Sequence, residues 1–477
     1  MILTIANKEF RAILRDGRAL YGTIVFALLG MLALVTGAIR YSELDAERLR
    51  AQEHVAEQWR AQGDKNPHSA AHYGQYAFRP ALPLAFFDPG VQAFEGVSIW
   101  LEAHKRNFAT GRPADDAAPL ARFGELSLAF IYQALLPLGI LLLAYPAFAA
   151  ERDTGTLRQL MATGVDGRRL FVGKFIGIGA AVLVLAAPVT ILALIALIVA
   201  TGTRWLAHAA LLLTFYAWFA AIVLAASLWV SAVASSARSA LLTLLAIWAV
   251  AVFVLPRIAG DLGRIMAPVP GAQRLQAAIE RDLAEGIDGE SPAAKIENRR
   301  RQLYRLYKVD DDRALPINMQ GVIFGIQDEI SNAVYDKHFA RLQSAIDAQI
   351  DLYEAISLLS PRMALMLVSQ ELSGTSVGAQ RRFADGAERF RRRLMTTLNA
   401  DITLHSRNDD PTYRAGADLW RAAGEYRYEF EPLPEALRRC GAAAMVLLLW
   451  TLLAGAGRSE EHTSELQSRF GISYAVF

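Results

Sequence analysis

Long apolar runs, separated by polar stretches of unequal length, set the first division of the chain. A helix crosses the roughly 30 Å hydrocarbon core of a bilayer with about 20 apolar residues. Five runs meet that length: 19–39, 126–150, 175–200, 206–230 and 239–255. A sixth, 440–457, holds "GAAAMVLLLWTLLAGAG" and is shorter. The first run is longer than a secretory signal's apolar stretch of about 7–15 residues, so it reads as a retained anchor. Two long insertions, 40–125 and 256–439, and one short loop, 151–174, separate the runs. The pattern predicts an all-α membrane protein with six transmembrane helices. The two insertions are expected to join in one mainly helical domain.

Basic residues of short loops set orientation. The segment 1–18 carries Lys8, Arg11, Arg15 and Arg18, and the 151–174 loop carries Arg152, Arg158, Arg168, Arg169 and Lys174. The turn after the third run has only Arg204. Both basic segments are therefore expected in the cytoplasm and both insertions outside it, in a bacterial inner membrane. Within 1–18, Ile2, Ile5, Phe10, Ile13 and Leu14 recur at helical spacing opposite the basic residues. That suits a cytoplasmic amphipathic helix lying on membrane lipid, although a plain basic flank would serve topology equally.

Composition narrows the class. Of 477 residues 53% are hydrophobic and 20% charged, as expected for membrane helices with sizeable polar insertions. A net charge of +2 gives no basic surface for nucleic acid. Cys440 is the one cysteine, so no disulfide can form within the chain. Between their ends the runs hold no Asp, Glu, Lys or Arg. An ion-coupled carrier usually keeps such groups at mid-membrane, so the spans favour energy delivered from outside the bilayer. Gln133, Thr190, Thr214, Tyr216, Ser227 and Thr243 are left for packing or contacts between helices.

The loop "ERDTGTLRQLMATGVDGRRLFVGKF" carries the chemistry that bears on function. Glu151 and Asp153 are placed where a helix N-terminus would favour negative charge, and Thr154 is placed to cap it. Leu157, Leu160 and Met161 then form an apolar stripe at spacings of three and four. Gly164 and Gly167 end the turn. The result is a short helix with a greasy face, suited to a partner, or to lipid as an unpartnered interfacial hairpin.

This loop resembles the coupling-helix loop of ABC-2 type transporter permeases, through Glu151, Gly155, Thr156, Leu157, Leu160 and Lys174. The stretches 73–107 and 358–376 resemble a subgroup of that family with large extracytoplasmic insertions. The resemblance implies a non-catalytic permease subunit of an ATP-driven exporter. A separate ABC ATPase would dock on the loop, with Met161 completing the stripe, and a second permease half, the same or a homologous chain, would complete the pore. It implies no cofactor in this chain, with ATP and Mg held by the ATPase. The competing reading is a membrane-anchored extracytoplasmic binding or signalling protein without transport.

Several patterns fail on inspection. "GRRLFVGKF" has five residues between Gly167 and Gly173 where a P-loop has four, and Phe175 stands where magnesium needs Ser or Thr. "LSGTS" resembles an ATPase signature but lies in the second insertion. His68 and His72 have zinc-compatible i,i+4 spacing, yet no third ligand is evident, so they read as a surface pair with no metal. "DDD" at 310–312 lacks the alternating ligands of a calcium loop and reads as a solvated turn. In 73–107, Pro80, Pro83, Pro89 and Gly90 predict an irregular, aromatic-rich surface. Finally, "RSEEHTSELQSRFGISYAVF" at 458–477 resembles a translated sequencing adapter, which would truncate the sixth span and replace the native C-terminus.

Overall fold

The structure is a computed structural model that describes residues 1–115 and 126–456. The adapter-like segment lies outside the described residues. Five helices among those described are long and apolar enough to cross a membrane. A sixth span exists if Leu433–Arg439 and Gly441–Gly455, which meet at 58°, count as one.

The first span does not stop where its apolar run stops. One helix continues from Gly17 to Arg60, 44 residues, or about 66 Å at 1.5 Å per residue. The segment after 39 has neither Gly nor Pro and is rich in Ala, Glu, Arg and Gln, all good helix formers. The fifth span also overruns its predicted end: a π-helical turn, Val250–Val254, leads into Leu255–Met266 with Pro256 in its first turn. The second span has a similar π turn near its start, at Ile131–Leu135 just before Pro137. Each π turn lies directly before a proline and passes into a further helix, so neither proline ends the span.

The all-α expectation needs correction in the first insertion. After the short helix Pro67–Tyr73 come β1 (Gln75–Phe78), β2 (Ser98–Glu102) and β3 (Lys105–Arg106), an antiparallel sheet in that order. Ala77 faces Ile99 in the register, and both are buried with Leu101. Their period-2 pattern covers too few residues to stand out in a proline-rich stretch. The aromatic segment between β1 and β2 is a surface only in part, since Phe94 is 65% exposed. Phe86 and Phe87 are buried, the Phe87 carbonyl accepts from Ala129 N–H at 2.9 Å, and the Phe87 ring meets Tyr132 and Tyr216 of the bundle. This segment plugs one end of the helix bundle.

The second insertion is helical, dominated by Met319–Ser357 and Val377–His405. The insertions share one apolar core, in which Trp59, Ala70, Ala77 and Leu101 pack with Phe383, Leu394, Leu398 and Trp420. A further helix, Pro361–Ser373, buries Ala364, Leu365, Val368 and Leu372 in the core of the span bundle. A buried polar chain crosses this junction. Gln133 Nε2 donates to the Tyr216 hydroxyl at 2.8 Å, Tyr216 bonds Ser369 at 2.9 Å, and Ser369 donates to the Asp88 carboxylate. Of the polar residues read in the spans, Gln133, Tyr216 and Thr190 (2.6 Å from the Tyr132 hydroxyl) make contacts between segments. Thr214 bonds only its own helix.

Candidate functional site

The 151–174 loop begins where the second span breaks. Helix Leu136–Ala144 gives way at Tyr145 to helix Pro146–Asp153. Pro146 has no N–H to continue the ladder, and Ser231 of the fourth span serves the break. Its Oγ accepts from the N–H groups of Phe148 (3.0 Å) and Ala149 (3.2 Å) and donates to the Tyr145 carbonyl (2.6 Å).

Because that helix runs on to Asp153, the acidic pair does not start the loop helix as expected; it ends the one before. Thr154 donates to Ala150 C=O at 3.1 Å and so closes the same helix. The loop helix, Thr156–Ala162, has Gly155 as its N-cap at φ 77°, in the left-handed region that favours glycine. An added Cβ at Gly155 would meet nothing within 4 Å, so its backbone angle, and not a close approach, calls for glycine. Thr156 is exposed, with its hydroxyl 2.9 Å from that of Thr154. Asp153 does serve a helix N-terminus, that of the fifth span, by accepting from Ala237 N–H at 2.9 Å. Arg152 donates to the carbonyls of Ala232, in the last turn of the fourth span, and Ala234, just past it. The loop and the turn between the fourth and fifth spans are thus fastened together.

The apolar stripe is turned inward. Leu157 is 8% exposed and belongs to the chain's own bundle core, while Leu160 and Met161 are half-buried. The outward face of the loop helix presents Arg158, Gln159, Ala162 and Thr163. Leu157 is therefore not an anchor free for a partner.

Lys174 is the site's centre. It is 1% exposed, inside helix Gly167–Thr201, and its Nζ donates to Glu151 Oε1 at 2.9 Å and Glu9 Oε1 at 3.0 Å. Lys8 bridges the same two carboxylates from outside, Glu9 at 2.9 Å and Glu151 at 3.2 Å. The N-terminal helix, Ile2–Arg15, reaches this cluster by lying along the third span at Gly173 and Gly177. An added Cβ would come within 2.6 Å of Ile5 at Gly173 and within 2.4 Å of the Ala6 carbonyl at Gly177. That is the close approach small residues four apart allow. The glycine and lysine that make "VGKF" look like a P-loop hold a helix instead. Burial works to raise the Glu9 pKa, but the Lys174 charge and hydrogen bonds from Lys8 and Lys174 outweigh it and hold the carboxyl below its usual 4.5.

Glu9 escaped the sequence reading. The signal was present: it sits four residues from both Ile5 and Ile13, on the apolar face of its helix. The "LSGTS" stretch ends helix Pro361–Ser373, where Gly374 (φ 69°) precedes Thr375, whose backbone abuts Gly90 of the first insertion. In "DDD", Asp312 accepts from the Tyr304 hydroxyl (2.9 Å) and Asp311 caps the turn.

A search of curated proteins returns no match for this chain. Residues 3–453 match the family model described as ABC-2 family transporter protein, which spans the N-terminal helix, the loop, both insertions and the spans. With several candidate membrane spans and a match over nearly its whole length, the chain belongs to the ABC-2 family of transporters as a multi-pass membrane component.

Proposed function

We propose that the chain is the permease subunit of an ATP-driven exporter and receives the work of a separate ATPase through the 151–174 loop. One observation carries the reading. Buried Lys174 ties the loop (Glu151), the N-terminal helix (Glu9) and the third span into one unit, which Arg152 and Asp153 extend to the fourth and fifth spans. A push on the loop helix would therefore move several spans together, as transmission from a soluble motor requires. Docking would use the exposed face, Arg158, Gln159, Ala162 and Thr163, with Thr156 at its start. Leu157, Leu160 and Met161 would hold that face to the bundle.

Gln159→Glu with Thr163→Glu is expected to weaken co-purification with the ATPase at least tenfold and to abolish stimulated ATP hydrolysis. Exposed substitutions of this kind usually change stability by no more than about 0.5 kcal/mol, so the thermal transition should stay in place. Wild-type ATPase association and turnover in the variant would show that this face is not where the ATPase docks. Leu157→Asp is the poorer test, since it would put a charge into the chain's own core.

The same reading puts the loop in the cytoplasm and the insertions outside. Ala61, Ser344 and Thr163 are all exposed in the fold. Single cysteines at Ala61 and Ser344, with Cys440 replaced, should react with an impermeant reagent on intact cells, and one at Thr163 should not. Labelling at Thr163 alone would invert the topology.

A further inference from the structure

The surface pair of histidines has a third member that the sequence did not reveal. We propose that His68, His72 and His104 bind a divalent transition-metal ion, with zinc the best match to the donors, and that Asp328 of the second insertion orients His104. The inference rests on the insertions alone and stands whether or not the loop couples to an ATPase.

The pair is built by its helix. Asn66 caps helix Pro67–Tyr73, accepting from the N–H of His68 at 2.9 Å, and one turn brings the two imidazoles onto the same side. Their Nε2 atoms face each other at 3.1 Å. His104 arrives from elsewhere, on the β2–β3 turn, at φ 58°, a left-handed angle uncommon outside glycine. One donor nitrogen from each of the three histidines lies within 4.8 Å of the others. Zinc–nitrogen bonds of about 2.0–2.1 Å put two imidazole nitrogens of a tetrahedral site roughly 3.3 Å apart. The pair already has that spacing, and His104 closes the remainder with a small ring movement.

The surroundings match a ligand set better than a chance contact. The Asp328 carboxylate takes the His104 backbone N–H at 3.2 Å and lies 2.9 Å from His104 Nδ1, close but not aligned as a hydrogen bond. A turn of the ring would let Nδ1–H donate to it and leave Nε2 for the ion. The other Asp328 oxygen accepts from Asn399 Nδ2 at 2.7 Å, so the carboxylate is itself held in place. A carboxylate behind a ligand histidine fixes its tautomer and raises its basicity. The His68 ring is stacked flat on Phe324, at 3.4 Å and 5°, and its buried Nδ1 has no hydrogen-bond partner. Nitrogen donors without thiolate suit zinc, copper or nickel in preference to calcium or magnesium. Three protein ligands leave a fourth position for water or an incoming group. An ion there would join the short helix, the hairpin and, through Asp328, helix Met319–Ser357.

The test uses the full chain in detergent, purified without a histidine tag and stripped with a chelator. Cobalt(II) titration should give the visible absorption of a tetrahedral nitrogen site, saturating at one ion per chain, and zinc should displace it. His72 is exposed, so His72→Ala should keep the metal-free melting temperature yet lose the saturable signal. Asp328→Asn should weaken affinity by about 10–100-fold with the stoichiometry unchanged. His54→Ala, an exposed histidine elsewhere, should bind as wild type does. Equal binding by wild type and His72→Ala, or no saturable binding by wild type, overturns the proposal.

Discussion

Lys174→Met is expected to free the N-terminal helix from the bundle. Methionine fills the space of the lysine stem but leaves Glu9 and Glu151, 11% and 14% exposed at their side chains, without their shared cation. Removing one partner from a buried ion pair costs about 3–5 kcal/mol, largely because the other charge stays buried. Lys8 remains, but 62% of its side chain is exposed and it cannot replace a buried ammonium. Hydrogen exchange over Ile2–Arg15 should rise sharply, and ATPase stimulation should fall with it. Glu9→Gln added to Lys174→Met should cost less than the separate effects summed, since it removes one of the stranded charges. Acid should act on the same cluster. Glu9 has a folded pKa below 4.5, so its stabilising contribution is complete above that value and disappears as the pH falls through the lowered one. Protection in the N-terminal helix of wild type should therefore drop only under acid conditions. Unchanged exchange in Lys174→Met at neutral pH would show that glycine packing alone holds the helix.

Trp59→Ala is expected to loosen both insertions at once. Trp59 is 1% exposed at the far end of the first long helix, and its indole N–H donates to the Trp420 carbonyl at 3.0 Å. Trp420 returns a bond to the Gly63 carbonyl at 2.9 Å, and the rings meet edge to face at 5.6 Å. Truncating a buried tryptophan to alanine costs about 3–5 kcal/mol. Limited proteolysis should then open new sites in the first insertion and near 406–432 together, with cleavage in the 151–167 loop unchanged. Trp420→Ala should give the same fragments, and the double variant should cost less than the sum, because the residues share one contact. New sites confined to one insertion would mean that the two fold separately.

The two clusters sit at opposite ends of the spans. Lys174 lies near the start of helix Gly167–Thr201, while Trp205, just past its end, packs against Phe430 of the second insertion. That helix has 35 residues, about 52 Å of rise, more than a bilayer's hydrocarbon core. Under the proposed coupling, a signal from the loop would have this one helix along which to reach the insertions, and the three clustered histidines lie in the domain at its far end.

The sequence alone determined the membrane class, the apolar segments and the loop's place among them. These follow from hydropathy and length, which depend on neighbouring residues and on the cost of leaving backbone groups unbonded in lipid. The loop's resemblance to a family was legible for the same reason, since its residues lie close together in the chain. Tertiary structure decided everything that joins distant segments. Glu9 meets Lys174 across 165 positions, and Asp153 caps a helix 84 residues away. His104 meets His68 only because a strand pair folds it back, and Leu157 turns inward because the bundle offers it a core. An apolar stripe shows that a helix will bury one face; it does not show whether the cover is a partner or the chain itself. That choice depends on which surfaces the rest of the fold brings within reach, and periodicity holds no record of them.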